Sequence, residues 1–546
     1  MIIDFALAIV PIAWLIIALA GLKLPGHIAC VSALLTSAVL AALHWHLETI
    51  NIATAALEGI LNALWPICLV VVAALFTYNL TVRTGAIETI KRMLSGISRD
   101  KRILALLIAW GFGNFMEGMA GFGTAVAIPA SMLVGIGFNP IIAVVGCLVV
   151  NATPTAFGSV GVPTATLSTI TSIDSLTLSA EIACMEALLT FVAPFFLVAI
   201  CGGGVKALRG SFGITFLAAL SFTAPWLITA LFIGPELPNI IGAACSMACI
   251  IAYSRFAKNE VEAAYALPTA SEITCASPVN SASPADNASP ADDAAEACAS
   301  PADASSIQAG KITLGIGLRA WAPFALVFIL LLATSTICPP VHAALAGIKS
   351  SVVVYAGENP NTLTFSWIGT PGVMIFIAAL IGGAIQGAQP KDMAVTLAST
   401  LKAYWRTLLT ICSVLAMAKV MTYSGMIADI ATVLVAATGS LYPLIAPAIG
   451  SLGGFVTGSG TSSNVLFGPL QVQTANDLGL NPSWIAAANA TGAGIGKMIC
   501  PQSIAIGASA ANMPGSEPKI LGSVFKYFAI YIAIACILCF AGSILA

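Results

Sequence analysis

Apolar residues run along this chain in membrane-length stretches, separated by short polar loops. Stretches long enough to cross a bilayer, about 17–25 residues, fall near 2–21, 25–44, 60–81, 140–168, 182–203, 212–233 and 238–257. Others lie near 317–338, 366–387, 405–423, 483–512 and 524–545. Two further segments, 103–137 and 443–480, are too long for one crossing and carry glycine-rich interruptions at their centres. Each reads as a hairpin that enters the membrane and returns, or as two closely packed spans of the same parity. The expectation is an all-α polytopic membrane protein with about twelve transmembrane helices plus two re-entrant hairpins.

Composition strengthens this. The 546 residues are 59% hydrophobic and 8% charged, with a mean hydropathy of +0.98. So little charge cannot cover a soluble surface. A net charge of −2 leaves no electrostatic footprint for nucleic acid. Met1–Ala20 carries Asp4 instead of a basic leader and is long enough to span, so it reads as a first span and not as a cleavable signal. The CxxC of Cys536 and Cys539 sits inside the last apolar run with no histidine beside it, so no metal or cofactor is expected.

Charge then orients the chain. Arg83, Lys91, Arg92, Arg99, Lys101 and Arg102 crowd one loop. Lys23, Lys206, Arg209, Arg255, Lys258, Lys311, Arg319, Lys391, Lys402 and Lys519 fall on the same side. The loops His46–Gly59, Ser172–Glu181, Gly234–Pro238 and Gly425–Tyr442 have no Lys or Arg; Lys349 is the main exception. Both termini are therefore expected outside. Residues 259–310 form a degenerate Ala/Ser/Pro/Asp repeat and read as a disordered cytoplasmic linker between halves 1–258 and 311–546.

The halves echo each other, with repeat cores near 60–203 and 400–546. Trp65 and Trp405, Gly85 and Gly425, Ile87 and Ile427, and Ile90 and Ile430 all stand 340 residues apart. NATPTAFGSVGVP (Asn151–Pro163) matches NATGAGIGKMICP (Asn489–Pro501) at an offset of 338. The turns Gly137–Pro140 and Gly479–Pro482 match at 342. The loop after the first copy's Trp65 span is basic, whereas the loop after the Trp405 span has only Asp429, so the repeats are inverted in topology. Inverted repeats with paired broken segments indicate a secondary transporter whose site lies near the midplane between them.

The candidate chemistry sits at those breaks. One hairpin breaks at EGMAGFGT (Glu117–Thr124) and the other at TGSGTSSN (Thr457–Asn464); the interrupted spans break near Asn151–Gly161 and Asn489–Pro501. Helix ends there offer unpaired N–H groups to an anion, and hydroxyls can either cap helices or turn to ligand oxygens. The expected substrate-contacting set is Gly121, Gly123, Thr124, Asn151, Thr153, Thr461, Ser462, Ser463, Asn464, Asn489, Thr491, Lys497, Gln502 and Ser503. Lys497, whose repeat counterpart is Ser159, is the expected partner of a substrate carboxylate, because an intramembrane ammonium is functional by default. Glu117 is the expected proton-coupling group, with Glu186 a lesser candidate; a carboxylate holding the hairpin together is the alternative role for Glu117. Lys419 reads as a residue near the outer boundary, and His27, His44 and His46 as interfacial.

These residues resemble the lactate permease family over essentially the whole chain outside the linker. The resemblance is carried by NFMEGMAGFGTAVAIPA (Asn114–Ala130), NATPTAFGSVGVP, GPELP (Gly234–Pro238), RAWAPF (Arg319–Phe324), TGSGTSSNVLFGPLQ and GKMICPQSIAI (Gly496–Ile506). It implies a symporter in the bacterial inner membrane that imports L-lactate, D-lactate and glycolate with protons. The bilayer and a small monocarboxylate would be its partners, and a homo-oligomer is compatible with it. Two departures stand out: Gly460 where some relatives carry Asp, and Ala125 where Pro often stands. A sodium-coupled dicarboxylate or sugar-acid carrier of the same architecture is the alternative reading. An intramembrane enzyme lacks a catalytic set here, and a channel would need no such repeats.

Overall fold

The computed structural model describes residues 2–256 apart from Lys23 and Phe122, residues 263–266, and residues 313–545 apart from 336, 337, 359, 361 and 514. The linker 259–310, but for 263–266, and the basic residues Lys23, Lys258 and Lys311 lie outside the described residues. The fold is an all-α polytopic membrane bundle. Among the described residues, nine helices are long and apolar enough to cross a membrane, or ten if the bent pair Pro140–Val150 and Pro154–Thr171 counts as one span.

The expected dozen do not map one to one onto these helices, and proline explains much of the difference. The first run divides into Ile2–Ala8, Val10–Ile16 and a π-helical Ile17–Gly21, with Pro11 in the first turn of the second piece. The run 483–512 divides into Pro482–Lys497 and Pro501–Ala510, because Pro501 has no N–H to continue a ladder and starts a new helix instead. Trp65 precedes a proline and takes extended angles (φ −133°, ψ 114°) between Thr49–Asn62 and Leu69–Arg83. One short departure from helix is the antiparallel pair Lys349–Val353 and Thr362–Ser366, rich in Val, Ser and Thr, in the loop that contains Lys349.

Both long interrupted segments are hairpins. In the first, Gly113 packs against Ala125 and Pro129 across a tip that turns at Gly121 (φ +57°) and Gly123 (φ +88°). In the second, Tyr442–Thr457 and Gly460–Asp477 fold together so that Ser463 Oγ donates to the Gly450 carbonyl at 2.8 Å. Small residues set the tightest approach. Cβ atoms added at Gly450 and Gly454 would collide with the Asn489 and Ala493 carbonyls, and those at Gly492 and Gly496 with the Pro447 and Ser451 carbonyls. Two glycine pairs, each four residues apart, thus let Tyr442–Thr457 and Pro482–Lys497 touch backbone to backbone.

Local devices recur at the offsets seen in the sequence. Asn139 caps Pro140–Val150 through Ile141 N and Ile142 N, and Asn481 caps Pro482–Lys497 through Ser483 N and Trp484 N. Gly85 and Gly425 both take left-handed angles between consecutive helices.

Candidate functional site

Four interruptions meet at one place. Hairpin tip Gly121 abuts Ser159 of the first broken span, and tip Gly123 abuts Ile506 beyond the second break. On the other hairpin, Gly458 abuts Gln502 and Cys500, while Gly460 abuts Thr155 and Pro163. The first broken span bends by 69° through the turn at Asn151, a 3-10 segment Pro154–Phe157, and left-handed Ser159, Val160 and Gly161. Such backbone is tolerable at membrane depth only inside protein or beside a cavity.

The centre of this meeting is an ion pair between the first hairpin and the helix Pro482–Lys497. Lys497 Nζ donates to Glu117 Oε1 at 2.9 Å, and the two side chains are only 9% and 3% exposed. Asn151 Nδ2 donates to the other carboxylate oxygen at 3.0 Å, and Thr155 Oγ1 lies 3.5 Å from Lys497 Nζ. Lys497 is the last residue of its helix, where the dipole favours a cation. Gly158 is needed beside the pair, since a Cβ there would lie 2.6 Å from Glu117 Oε1. Leu148, Asn151, Ala152, Gly494, Met498 and Ser503 line a crevice at Lys497 that is closed down to less than the size of a water molecule.

The other expected residues divide by what already occupies them. Gly121 and Gly123 shape the first tip, and Thr124 Oγ1 donates to the Gly121 carbonyl at 2.7 Å. Asn464 and Asn489 are engaged in a buried relay: Tyr442 OH donates to Gln471 Oε1 (2.6 Å), and Gln471 Nε2 to Ala446 O (2.9 Å) and Asn489 Oδ1 (3.4 Å). Asn489 Nδ2 then donates to Asn464 Oδ1 (2.9 Å), and Asn464 Nδ2 to the Pro163 carbonyl (3.0 Å). Ser463 is committed to Gly450. Thr461 and Ser462 stand buried in the first turn after Ser459, whose hydroxyl accepts from Ser462 N. Ser503 lines the crevice, Gln502 is exposed beside the Gly458 tip, and the buried hydroxyls of Thr153 and Thr491 have no hydrogen-bond partner.

Several participants escaped the sequence reading. Thr155 lay inside the quoted NATPTAFG motif, but nothing there marked it as the residue beside Lys497. Asn114, one turn before Glu117, is buried with both amide atoms unpartnered. Lys419, expected near the boundary, is buried instead and pairs with Glu58 at 2.8 Å, with Tyr423 OH donating to the same carboxylate.

A bundle of membrane-length helices around a buried, charge-paired polar centre is the build of a membrane permease, not of an enzyme. The L-lactate permease family profile matches residues 4–545. The L-lactate permease of Streptococcus iniae is 41% identical over 481 residues, 88% of this chain and 93% of that one. Glycolate permease GlcA of Escherichia coli K12 is 33% identical, covering 96% of this chain and 93% of its own length. The L-lactate permease of the same strain is 31% identical, covering 97% and 94%. The chain belongs to the L-lactate permease family.

Proposed function

We propose that the protein imports lactate and related short 2-hydroxymonocarboxylates, D-lactate and glycolate among them, by proton symport through the bacterial inner membrane. Its termini face outside, and its two inverted repeats alternate around one shared site. The carrying observation is the Glu117–Lys497 pair at 2.9 Å, because it lets a proton and an anion exchange places. When Glu117 takes a proton, Lys497 loses its counter-ion and is free to hold a substrate carboxylate. When the carboxylate leaves, the proton leaves and the pair closes again. Each swap moves one H⁺ and one anion through this pair, and at no step is a charge left unpaired in the membrane interior, where it would be costly. Either half-step alone strands a charge, which is the physical basis of coupling.

Asn151 and Ser503, which line the crevice, and the partnerless Thr153 hydroxyl would read the 2-hydroxyl. Thr461, Ser462, Gln502 and the second hairpin tip close the site from the other copy. The names of the relatives, lactate and glycolate permeases, support the substrate class.

The test is uptake of labelled lactate into proteoliposomes under an imposed pH gradient, with competition by mono- and dicarboxylates. Lactate and glycolate are expected to compete and dicarboxylates to fail. Lys497→Ala loses a charge-assisted contact worth about 1.5–3 kcal/mol, or roughly tenfold to a hundredfold in apparent affinity. Uptake that ignored the pH gradient but followed sodium would replace this reading with the sodium-coupled one.

A further inference from the structure

The helix Ser175–Cys201 belongs to neither hairpin nor broken span, yet it carries a carboxyl that the exchange above does not use. Glu186 has no exposed surface, and neither of its carboxyl oxygens has a hydrogen-bond partner. Ser179 and Thr190, seven residues before it and four after, share its helix face and also bury partnerless hydroxyls. The facing helix is Pro482–Lys497, whose Thr491 hydroxyl approaches Glu186 without completing a hydrogen bond. Glu186 and Thr491 therefore meet between this helix and the helix that ends at Lys497, and Ser179 and Thr190 extend the Glu186 face as a polar seam.

The seam reaches one membrane face. Both helices start at the end whose loop, Ser172–Glu181, lacks basic residues. There Ser483 Oγ donates to Glu181 Oε1 at 2.8 Å and Asn481 Nδ2 to the same oxygen at 3.3 Å, leaving the second Glu181 oxygen unused. At 1.5 Å per residue, Glu186 lies about 16 Å along its helix and Lys497 about 22 Å along the other. Glu186 is thus near the middle of a hydrocarbon core about 30 Å thick.

Among the described residues, no cation is poised to neutralise it. Lys497 is held by Glu117, and Arg102 by Asp100 and the Ala207 and Arg209 carbonyls. Lys206, Lys519 and Lys526 are exposed, and Lys101 stands at the start of its helix. The other titratable side chains on the packed elements are Glu181, Cys184 and Cys201 on its own helix, Cys147 on Pro140–Val150, and Glu517, Tyr527, Tyr531, Cys536 and Cys539 on Glu517–Leu545. Phe212–Phe232 and Gly158–Thr171 bring none. A carboxyl so enclosed is tolerated only with a proton on it.

We infer that Glu186 is a second proton-binding site, loaded and emptied once per cycle along the Ser179–Glu186–Thr491 seam, so that each substrate anion travels with two protons. The inference rests on the symport reading. One proton exchanges at Glu117 as the carboxylate takes Lys497. The other leaves the Glu186 carboxylic acid as H⁺ and returns to the carboxylate from the opposite side. The balance is two H⁺ and one anion, so each cycle moves one net positive charge.

Membrane potential tests this directly. Proteoliposomes at equal pH on both sides, with valinomycin and a tenfold outward potassium gradient, should accumulate lactate about tenfold if one net charge moves per cycle. Glu186→Gln should lower that accumulation to about onefold, because only the neutral exchange at Glu117 remains. Glu186→Asp, which keeps an acid, should restore the response. Wild-type protein that followed a pH gradient but ignored the potential would overturn this inference alone. Wild-type protein that followed neither would overturn the symport reading with it. A Glu186→Gln variant accumulating lactate like the wild type would assign the net charge elsewhere and also overturn it.

Discussion

Glu117→Gln isolates the exchange on which the functional reading depends. In the native arrangement, a carboxylate 3% exposed holds an ammonium 9% exposed at 2.9 Å and accepts a second bond of 3.0 Å from Asn151. Removing one partner of such a buried pair costs about 3–5 kcal/mol, because the other charge is stranded. Glutamine keeps the shape and can still accept from Lys497, so the expected loss lies near the lower end, about 3 kcal/mol. The substrate carboxylate should supply the missing charge. At a hundredfold excess over Kd, ligand linkage returns about 2.7 kcal/mol, which nearly cancels the defect. Thermal unfolding in detergent, with and without lactate, reads this as a lowered Tm that lactate largely restores. The same variant should lose the proton exchanged at Glu117 and accumulate less lactate than the wild type under the same pH gradient. A wild-type Tm, or a pH-dependent accumulation like the wild type's, would refute the idea that Glu117 gates Lys497.

Other substitutions probe the supports of this centre. Gly158→Ala puts a methyl 2.6 Å from Glu117 Oε1 and should displace the carboxylate, lowering lactate uptake about a hundredfold, as a displacement of ~1 Å can. Its fold should survive, since overpacking costs about 1–3 kcal/mol. Gly492→Ala drives a methyl into the Pro447 carbonyl across the closest helix contact, and its melting transition should fall by the upper part of that same range of about 1–3 kcal/mol. Glu58→Gln should destabilise by about 3–5 kcal/mol by stranding Lys419, whereas Glu58→Gln with Lys419→Met should recover most of it. Both are read by melting curves, with the affinity for lactate unchanged.

Much of this was legible from the chain because proline, glycine and charge act locally. Gly121, Gly123 and Gly458 take the left-handed angles that only a broken segment needs, and the breaks fall where the glycine-rich motifs place them. Asn139 and Asn481 cap their helices from within the same Gly-x-Asn-Pro turn. Partnership was not legible. Glu117 and Lys497 are 380 residues apart, and nothing in the sequence tells whether two intramembrane charges meet each other or meet a ligand. The Asn464–Asn489–Gln471 relay was hidden for a similar reason: an amide beside a helix break looks the same whether it awaits a substrate or already satisfies the Pro163 carbonyl. Apolar runs and helices part company where prolines cut a run, as at Pro11 and Pro501, because hydropathy sums do not register a missing N–H.

Among the described residues the bundle buries a Lys–Glu pair twice, and the two surroundings differ. Lys419 and Glu58 join at 2.8 Å between the regular helices Pro390–Ser424 and Thr49–Asn62. Tyr423 OH donates to that carboxylate at 3.0 Å, and the ring of Tyr355 stacks on Tyr423 at 3.7 Å. Both of its charges stand inside regular helices. Lys497 and Glu117 join at almost the same distance, but among four helix ends, next to a crevice and to hydroxyls with no partner. A pair that must open each cycle needs neighbours able to receive both charges, and broken helices supply those as free N–H groups and short polar side chains. Burial is alike at the two sites. On the proposed reading, it is the difference in surrounding backbone that would make one ion pair a fastening and the other an exchange site.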